Sequence, residues 1–137
     1  KGKITMATKV LDSYALMAFF EDEPGADFVR GLIHKAVESD TNLLMSIVNL
    51  GEGWYSLARN NSPEIADQYI HEIKGIGIEI VNVDWALTRQ AAAFKVGGNI
   101  SYADCFAAAL AKAKKAELVT GDKEFKSLEG EIKISWI

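Results

Sequence analysis

A chain of 137 residues, 49% hydrophobic and 25% charged, has the length and balance of one globular domain with a sizeable core. Its net charge of −4 argues against a general nucleic-acid binder, which is ordinarily basic, but not against an enzyme that meets nucleic acid locally. No apolar run approaches the roughly 20 residues of a membrane span, no secretory pattern opens the chain, and the single cysteine, Cys105, cannot close an internal disulfide, which suits a reducing cytoplasm.

Residues 1–7 read as a leader remnant with a native start at Met6, and residues 8–137 as the domain. "ATKVLD" is short, apolar and β-prone, ending in Asp12. "SYALMAFFEDE" reads as a helix, and Pro24 suits the first turn of a second helix reaching about Ser39. "NLLMSI" is a second strand, followed by a helix over Val48–Asn60 and another with Ser62 as N-cap and Pro63 after it. "GIGIEIVNV" reads as a third strand. Asp84 caps the helix "DWALTRQAAAFKV", which Gly97 and Gly98 stop. "SYADCFAAALAKAKK" is the strongest helix, and it leads to a strand at "AELVT", a turn at Gly121-Asp122, a short helical stretch and a last strand in "EIKISWI". Strands alternating with helices predict right-handed crossovers and a mostly parallel sheet covered on both faces. No linker or repeat interrupts this α/β pattern.

In open α/β sheets ligands bind outside the carboxyl ends of the strands, and four acids fall there. Asp12 ends the first strand, and Asp122 follows Thr120 at the end of "ELVT". Asp104 lies in the first turn of "SYADCF", and Glu52 lies in the second turn of the helix after the second strand. Each has a plain structural role open to it. Asp12 can cap the next helix, Asp104 completes an S-x-x-D capping box with Ser101, and Asp122 can form a turn and cap the stretch at Phe125. Glu52 stands between Gly51 and Gly53, opposite an apolar stripe through Leu50, Trp54 and Leu57. Each of those glycines costs a helix interior about 1 kcal/mol relative to alanine, so clearance for a neighbour or a ligand is the expected reason for them.

Two carboxylates about 5 Å apart repel by roughly 3 kcal/mol at an effective dielectric of about 20. Four converging acids therefore require protons or a cation. Hard oxygen donors with no Cys/His cluster and no HExxH suit Mg²⁺ or Mn²⁺ rather than zinc. Such an ion can activate water for phosphoryl displacement.

At "VLDSYAL", "SIVNLGEGWYSLAR" and "ISYADCFAAALAKAKKAELVTGDKEF", with 18 positions from Asp104 to Asp122, the chain resembles PIN-domain proteins, specifically the VapC-like toxins of toxin–antitoxin pairs. The resemblance implies a single PIN-like domain with a five-stranded, mostly parallel sheet flanked by helices, and a Mg²⁺- or Mn²⁺-dependent endoribonuclease. It also implies a small antitoxin partner and a homodimer. Carried over by position, Asp12, Glu52, Asp104 and Asp122 match the acidic quartet, and Thr120 matches the hydroxyl beside it. Ser13 is a supporting candidate next to Asp12. Tyr14, where serine or threonine is frequent, and Gly53, where an aliphatic residue is usual, depart from the pattern and bear on the shape of the groove.

Arg59, Lys123 and Lys112, the last in the run Lys112–Lys115, are candidate RNA contacts, although lysines at a helix end also suit its dipole. Cys105 reads as a small buried hydrophobe, and His34 and His71 have no partner motif. Trp54, Trp85 and Trp136 read as core or interface, and Phe28, Ile33 and Val37 as core or a subunit contact. Two other functions compete: an inactive PIN scaffold that binds RNA or a protein partner, and a different metal-dependent phosphoesterase. The haloacid-dehalogenase Asp-x-Asp, the acidic pair of a phospho-receiver and a GxGxxG after the first strand are all missing.

Overall fold

The computed structural model describes residues 7–38 and 41–137; the leader expected at the start and the helix end expected at Ser39 involve residues outside these. Five strands, β1 (Ala7–Leu11), β2 (Thr41–Ser46), β3 (Glu79–Val81), β4 (Glu117–Thr120) and β5 (Ile134–Trp136), form one sheet in the order β3-β2-β1-β4-β5. Every pairing is parallel. Around it lie α1 (Ser13–Phe20), α2 (Ala26–Val37), α3 (Ile47–Asn60), α4 (Pro63–Gly75), α5 (Trp85–Val96) and α6 (Tyr102–Lys114), with a 3₁₀ helix over Lys123–Leu128.

Side-chain alternation along the strands divides the core into two layers. Val10, Leu44 and Leu118 face α5 and α6, joining Leu87, Phe94 and the buried alanines of α6. Leu11, Leu43, Met45 and Val119 face the other way, onto Leu16, Val29, Leu32 and Ile73 from α1, α2 and α4. Both faces are covered, which is why the strands read as continuous apolar runs. The run Ala107–Ala111 lets α6 lie close over the sheet, and all five residues are buried.

Two boundaries and one buried face differ from the sequence reading. Gly25, at φ +98°, is the N-cap of α2, so Pro24 precedes the helix rather than opening it. The expected strand "GIGIEIVNV" is paired only over Glu79–Val81; α4 runs on to Gly75, Ile76 caps it, and Gly77 turns the chain at φ +92°. Last, α3 buries Asn49, Gly53 and Leu57 rather than a Leu50–Trp54 stripe. It stands at the carboxyl end of the sheet, packed against α1, α4 and α6. This places Glu52 beside its buried face instead of opposite it.

Strand order reverses between β1 and β4, which are neighbours though far apart in sequence. The carboxyl ends of these two strands make the crevice where an α/β sheet binds ligands. Asp12 leaves one and Thr120 ends the other.

Candidate metal centre

Asp12 is both cap and acid. As N-cap of α1 it accepts a hydrogen bond from Ala15 N at 2.9 Å through Oδ1. Its Oδ2 accepts from the Thr120 hydroxyl, and Thr120 Oγ1 in turn accepts from Asp122 N at 3.0 Å. A single hydroxyl thus ties the acid after β1 to the acid after β4. Asp12 is 1% exposed. Burial pushes its carboxyl up to about 7; the bonds from Thr120 and Ala15 oppose that rise, and the charges of Asp122 and Glu52 add to it.

Asp104 shows how a capping pattern can release an acid for another use. Ser101 caps α6 by accepting from Asp104 N at 3.2 Å. The reciprocal bond of a capping box would run from Ser101 N to the Asp104 carboxylate. Instead Ser101 N donates to Glu124 Oε1 at 2.9 Å, and the Asp104 side chain turns into the cleft. It is 4% exposed. Burial, first, and then Asp122, Asp12 and Glu52 push it up to about 9.

Asp122 caps the 3₁₀ helix by accepting from Glu124 N at 3.0 Å. Carboxylate oxygens of Asp104, Asp122 and Glu124 all lie within 4.8 Å of one another. Glu52 reaches the same cleft from α3, where the Ser13 hydroxyl donates to its Oε1. The cleft has a volume of about 380 Å³ and is lined by Glu52, Asp104, Asp122, Glu124, Ser13 and Tyr14, among others. Asp12 is not part of that lining; it is buried at the end of β1, and its charge is felt by Asp104.

The structure therefore brings Asp12, Glu52, Asp104, Asp122, Thr120 and Ser13 into one neighbourhood. It adds two residues that sequence reading missed. Glu124 is signalled only by its position two after Asp122. Asn49, three before Glu52 on the same helix face, is fully buried; its Nδ2 donates to Ala103 O at 3.1 Å, fastening α3 to the first turn of α6. Among the described residues Asn49 Oδ1 has no hydrogen-bond partner.

Of the basic candidates, Lys123 is exposed next to Asp122, and Arg59 lies 5.4 Å from the ring centroid of Tyr55, a cleft residue. Lys112 is set apart: eight residues along α6 from Asp104, about 12 Å at helical rise, it pairs with Glu131 at 3.0 Å and lies over Phe94. Cys105 is buried and free, with its thiol pushed up chiefly by burial. His34 and His71 are exposed. Trp54 and Trp136 donate to Asp67 and Glu129, each at 2.9 Å, while Trp85 is largely exposed. An apolar groove of about 330 Å³ between α5 and α6 lacks convergent acids.

The model of the PIN domain family matches residues 9–131. The chain belongs to the PIN-domain family. Solved structures of VapBC and VapC proteins agree with the fold. DNA-bound VapBC from Salmonella typhimurium superposes with a TM-score of 0.75 at 18% identity, covering 95% of this chain and 98% of that one. VapBC2 from Rickettsia felis, bound to a promoter DNA fragment, gives 0.71 at 18%, covering 93% and 97%. VapC20 from Mycobacterium tuberculosis, a sarcin–ricin-loop-cleaving toxin, gives 0.70 at 17%, covering 87% and 93%. No curated protein matches the chain in sequence. Among the described residues, no helix is long and apolar enough to cross a membrane.

The donor set fits a hard divalent ion. It consists of carboxylates alone, three of them mutually within 4.8 Å, and Asp12 and Asp104, raised chiefly by burial and further by the neighbouring carboxylates, are acids whose ionised form a cation would favour.

Proposed function

We propose that this PIN domain is a Mg²⁺- or Mn²⁺-dependent endoribonuclease, the toxin of a toxin–antitoxin pair. The observation that carries the reading is the convergence of Asp104, Asp122 and Glu124 above buried Asp12 at the β1/β4 switch point, with Glu52 facing them from α3. In this reading Asp104 and Asp122, joined by Glu124, hold the ion, and Asp12 completes the set directly or through water. A bound divalent ion supplies Lewis acidity toward phosphate oxygens and lowers the pKa of water.

The chain's own residues supply the rest. Thr120 fixes the Asp12 carboxylate and the Asp122 backbone at once. Ser13 orients Glu52, which is placed to align the attacking water or take its proton. Glu124, by holding Ser101 N, leaves the Asp104 carboxylate free. The small antitoxin is supported by the VapBC complexes among the structural neighbours, while RNA as substrate and the homodimer rest on the resemblance to VapC-like toxins. Phe28 and Val37, exposed on α2, suit a protein contact, and the compartment expected is the cytoplasm.

The test is cleavage of a labelled single-stranded RNA panel with Mg²⁺ or Mn²⁺, with EDTA and a folded Asp104→Asn variant as controls. Cleavage by the wild type that both controls abolish is expected. Cleavage that survives EDTA, or full activity in the variant, would contradict the reading, and a metal-loaded wild type that binds RNA without cutting it would make the domain a scaffold.

A further inference from the structure

We propose that Tyr14 and Tyr55 are the base-stacking positions of the cleft, each seating one base of the RNA strand beside the acids; this rests on the nuclease reading above. Both tyrosines line the acidic cleft. They are 43% and 50% exposed, although an aromatic body of that size gains most by burial.

Each ring is braced by its surroundings. Tyr14 packs against the backbone at Gly121: a Cβ there would lie 2.4 Å from Tyr14 Cε1 and 2.7 Å from Cζ. Glycine at the turn into Asp122 is therefore what makes room for the ring, and it holds the ring beside the acids. Tyr55 stands three residues after Glu52 on α3, with the Arg59 guanidinium 5.4 Å from its ring centroid. Preorganised rings cost less to engage than mobile ones.

Electrostatics explains why such positions are needed. The floor of the cleft is a cluster of carboxylates, and the chain carries a net charge of −4, so away from the bound ion it offers a phosphate backbone little attraction. Lys112 is paired with Glu131 and lies away from the cleft. Arg59 beside Tyr55 and exposed Lys123 are the cations near the cleft, and much of the remaining affinity must come from contacts that do not depend on phosphate charge. Base–aromatic stacking is such a contact, and only unpaired, unstacked bases can make it.

The experiment uses the full chain with Mn²⁺ and a short mixed-sequence RNA strand. It compares wild type, Tyr14→Ala, Tyr55→Ala and the two Tyr→Phe variants, all checked for folding by circular dichroism. KM from cleavage and Kd from fluorescence anisotropy are measured on the same samples. Each alanine variant is expected to raise KM and Kd about ten-fold, in line with roughly 1–3 kcal/mol per stacked base, with kcat nearly unchanged and phenylalanine restoring both. Abasic residues placed singly along the strand should weaken wild-type binding at particular positions. That loss should vanish at one position in Tyr14→Ala and at another in Tyr55→Ala, a coupling that a merely structural tyrosine would not produce. A duplex of the same sequence should bind weakly.

Metal-dependent cleavage with unchanged KM in both alanine variants, or abasic losses that persist in them, would overturn the stacking role alone and leave the pair as a protein-contact surface. A wild type that neither binds nor cuts any strand would overturn the nuclease reading and the stacking role with it.

Discussion

Thr120 is the residue on which the two sides of the site depend. It is fully buried, and its hydroxyl donates to Asp12 while accepting from Asp122 N. Thr120→Val keeps the shape and removes both bonds, leaving a buried carboxylate oxygen and a backbone donor unsatisfied. A loss of about 1–3 kcal/mol in urea unfolding is expected, with cleavage lost and Thr120→Ser close to wild type in both. Unchanged stability in Thr120→Val would show that the hydroxyl does not bridge the two acids. At this scale the sequence was legible for the acids themselves, because a carboxylate at a strand end or helix start is visible from spacing. Asp12 proves to be cap and site acid together. Glu124 was not legible, because its contribution is a bond to Ser101, 23 positions away, and neither was Asn49, whose partner is the Ala103 carbonyl on another helix. Such long-range contacts leave no local pattern.

At the scale of the element, the two glycines around Glu52 have different reasons. The sequence suggested clearance for a neighbour or for substrate at both. In the structure Gly53 is buried, and a Cβ on it would meet Leu16 Cδ2 at 3.2 Å, whereas Gly51 has nothing within 4 Å. Gly53 lets α1 and α3 close on each other, carrying Ser13 to Glu52; Gly51 has no steric cause in the described residues. Gly53→Val should therefore overpack this contact, at a cost of about 1–3 kcal/mol, and lower activity along with stability. Gly51→Ala should stabilise the helix by up to about 1 kcal/mol with activity retained. Thermal unfolding of both variants beside cleavage rates checks the pair, and a stable, inactive Gly53→Val would restore the substrate-clearance explanation. The elements themselves were readable from periodicity and caps. The exceptions, Pro24 and the start of β3, lie where Gly25 and Gly77 take left-handed backbone, which an apolar run next to a proline or glycine does not disclose. The stripe expected on α3 is buried in part: Leu57 is fully buried and Leu50 packs against the core, but Asn49 and Gly53 also face the interior, where no apolar pattern marks them.

For the whole molecule, the site trades stability for function. In the metal-free protein Asp12 and Asp104 hold their protons up to about 7 and about 9, whereas in the unfolded chain aspartates ionise near 3.9. The folded state thus binds more protons over that interval, and unfolding free energy falls with rising pH wherever that is so. The contribution of these two groups is fully present below the unfolded value and is lost as the pH rises through about 7 and then about 9. Metal-free wild type should lose thermal stability from pH 6 to pH 9, and Asp104→Asn should flatten the decline; equal slopes in the two proteins would contradict the assignment. A bound divalent ion reverses the sign, because it favours the ionised acids.

That reversal gives the most direct measurement. Mn²⁺ binding is followed by titration calorimetry at pH 7.5 in buffers of different ionisation enthalpy, for wild type, Asp104→Asn and Asp122→Asn. Binding accompanied by release of about one proton per ion is expected from the values of Asp12 and Asp104, with binding lost or weakened at least ten-fold in both variants. No binding by folded wild type, or equal binding without proton release in all three proteins, would contradict the account of these acids as a metal centre.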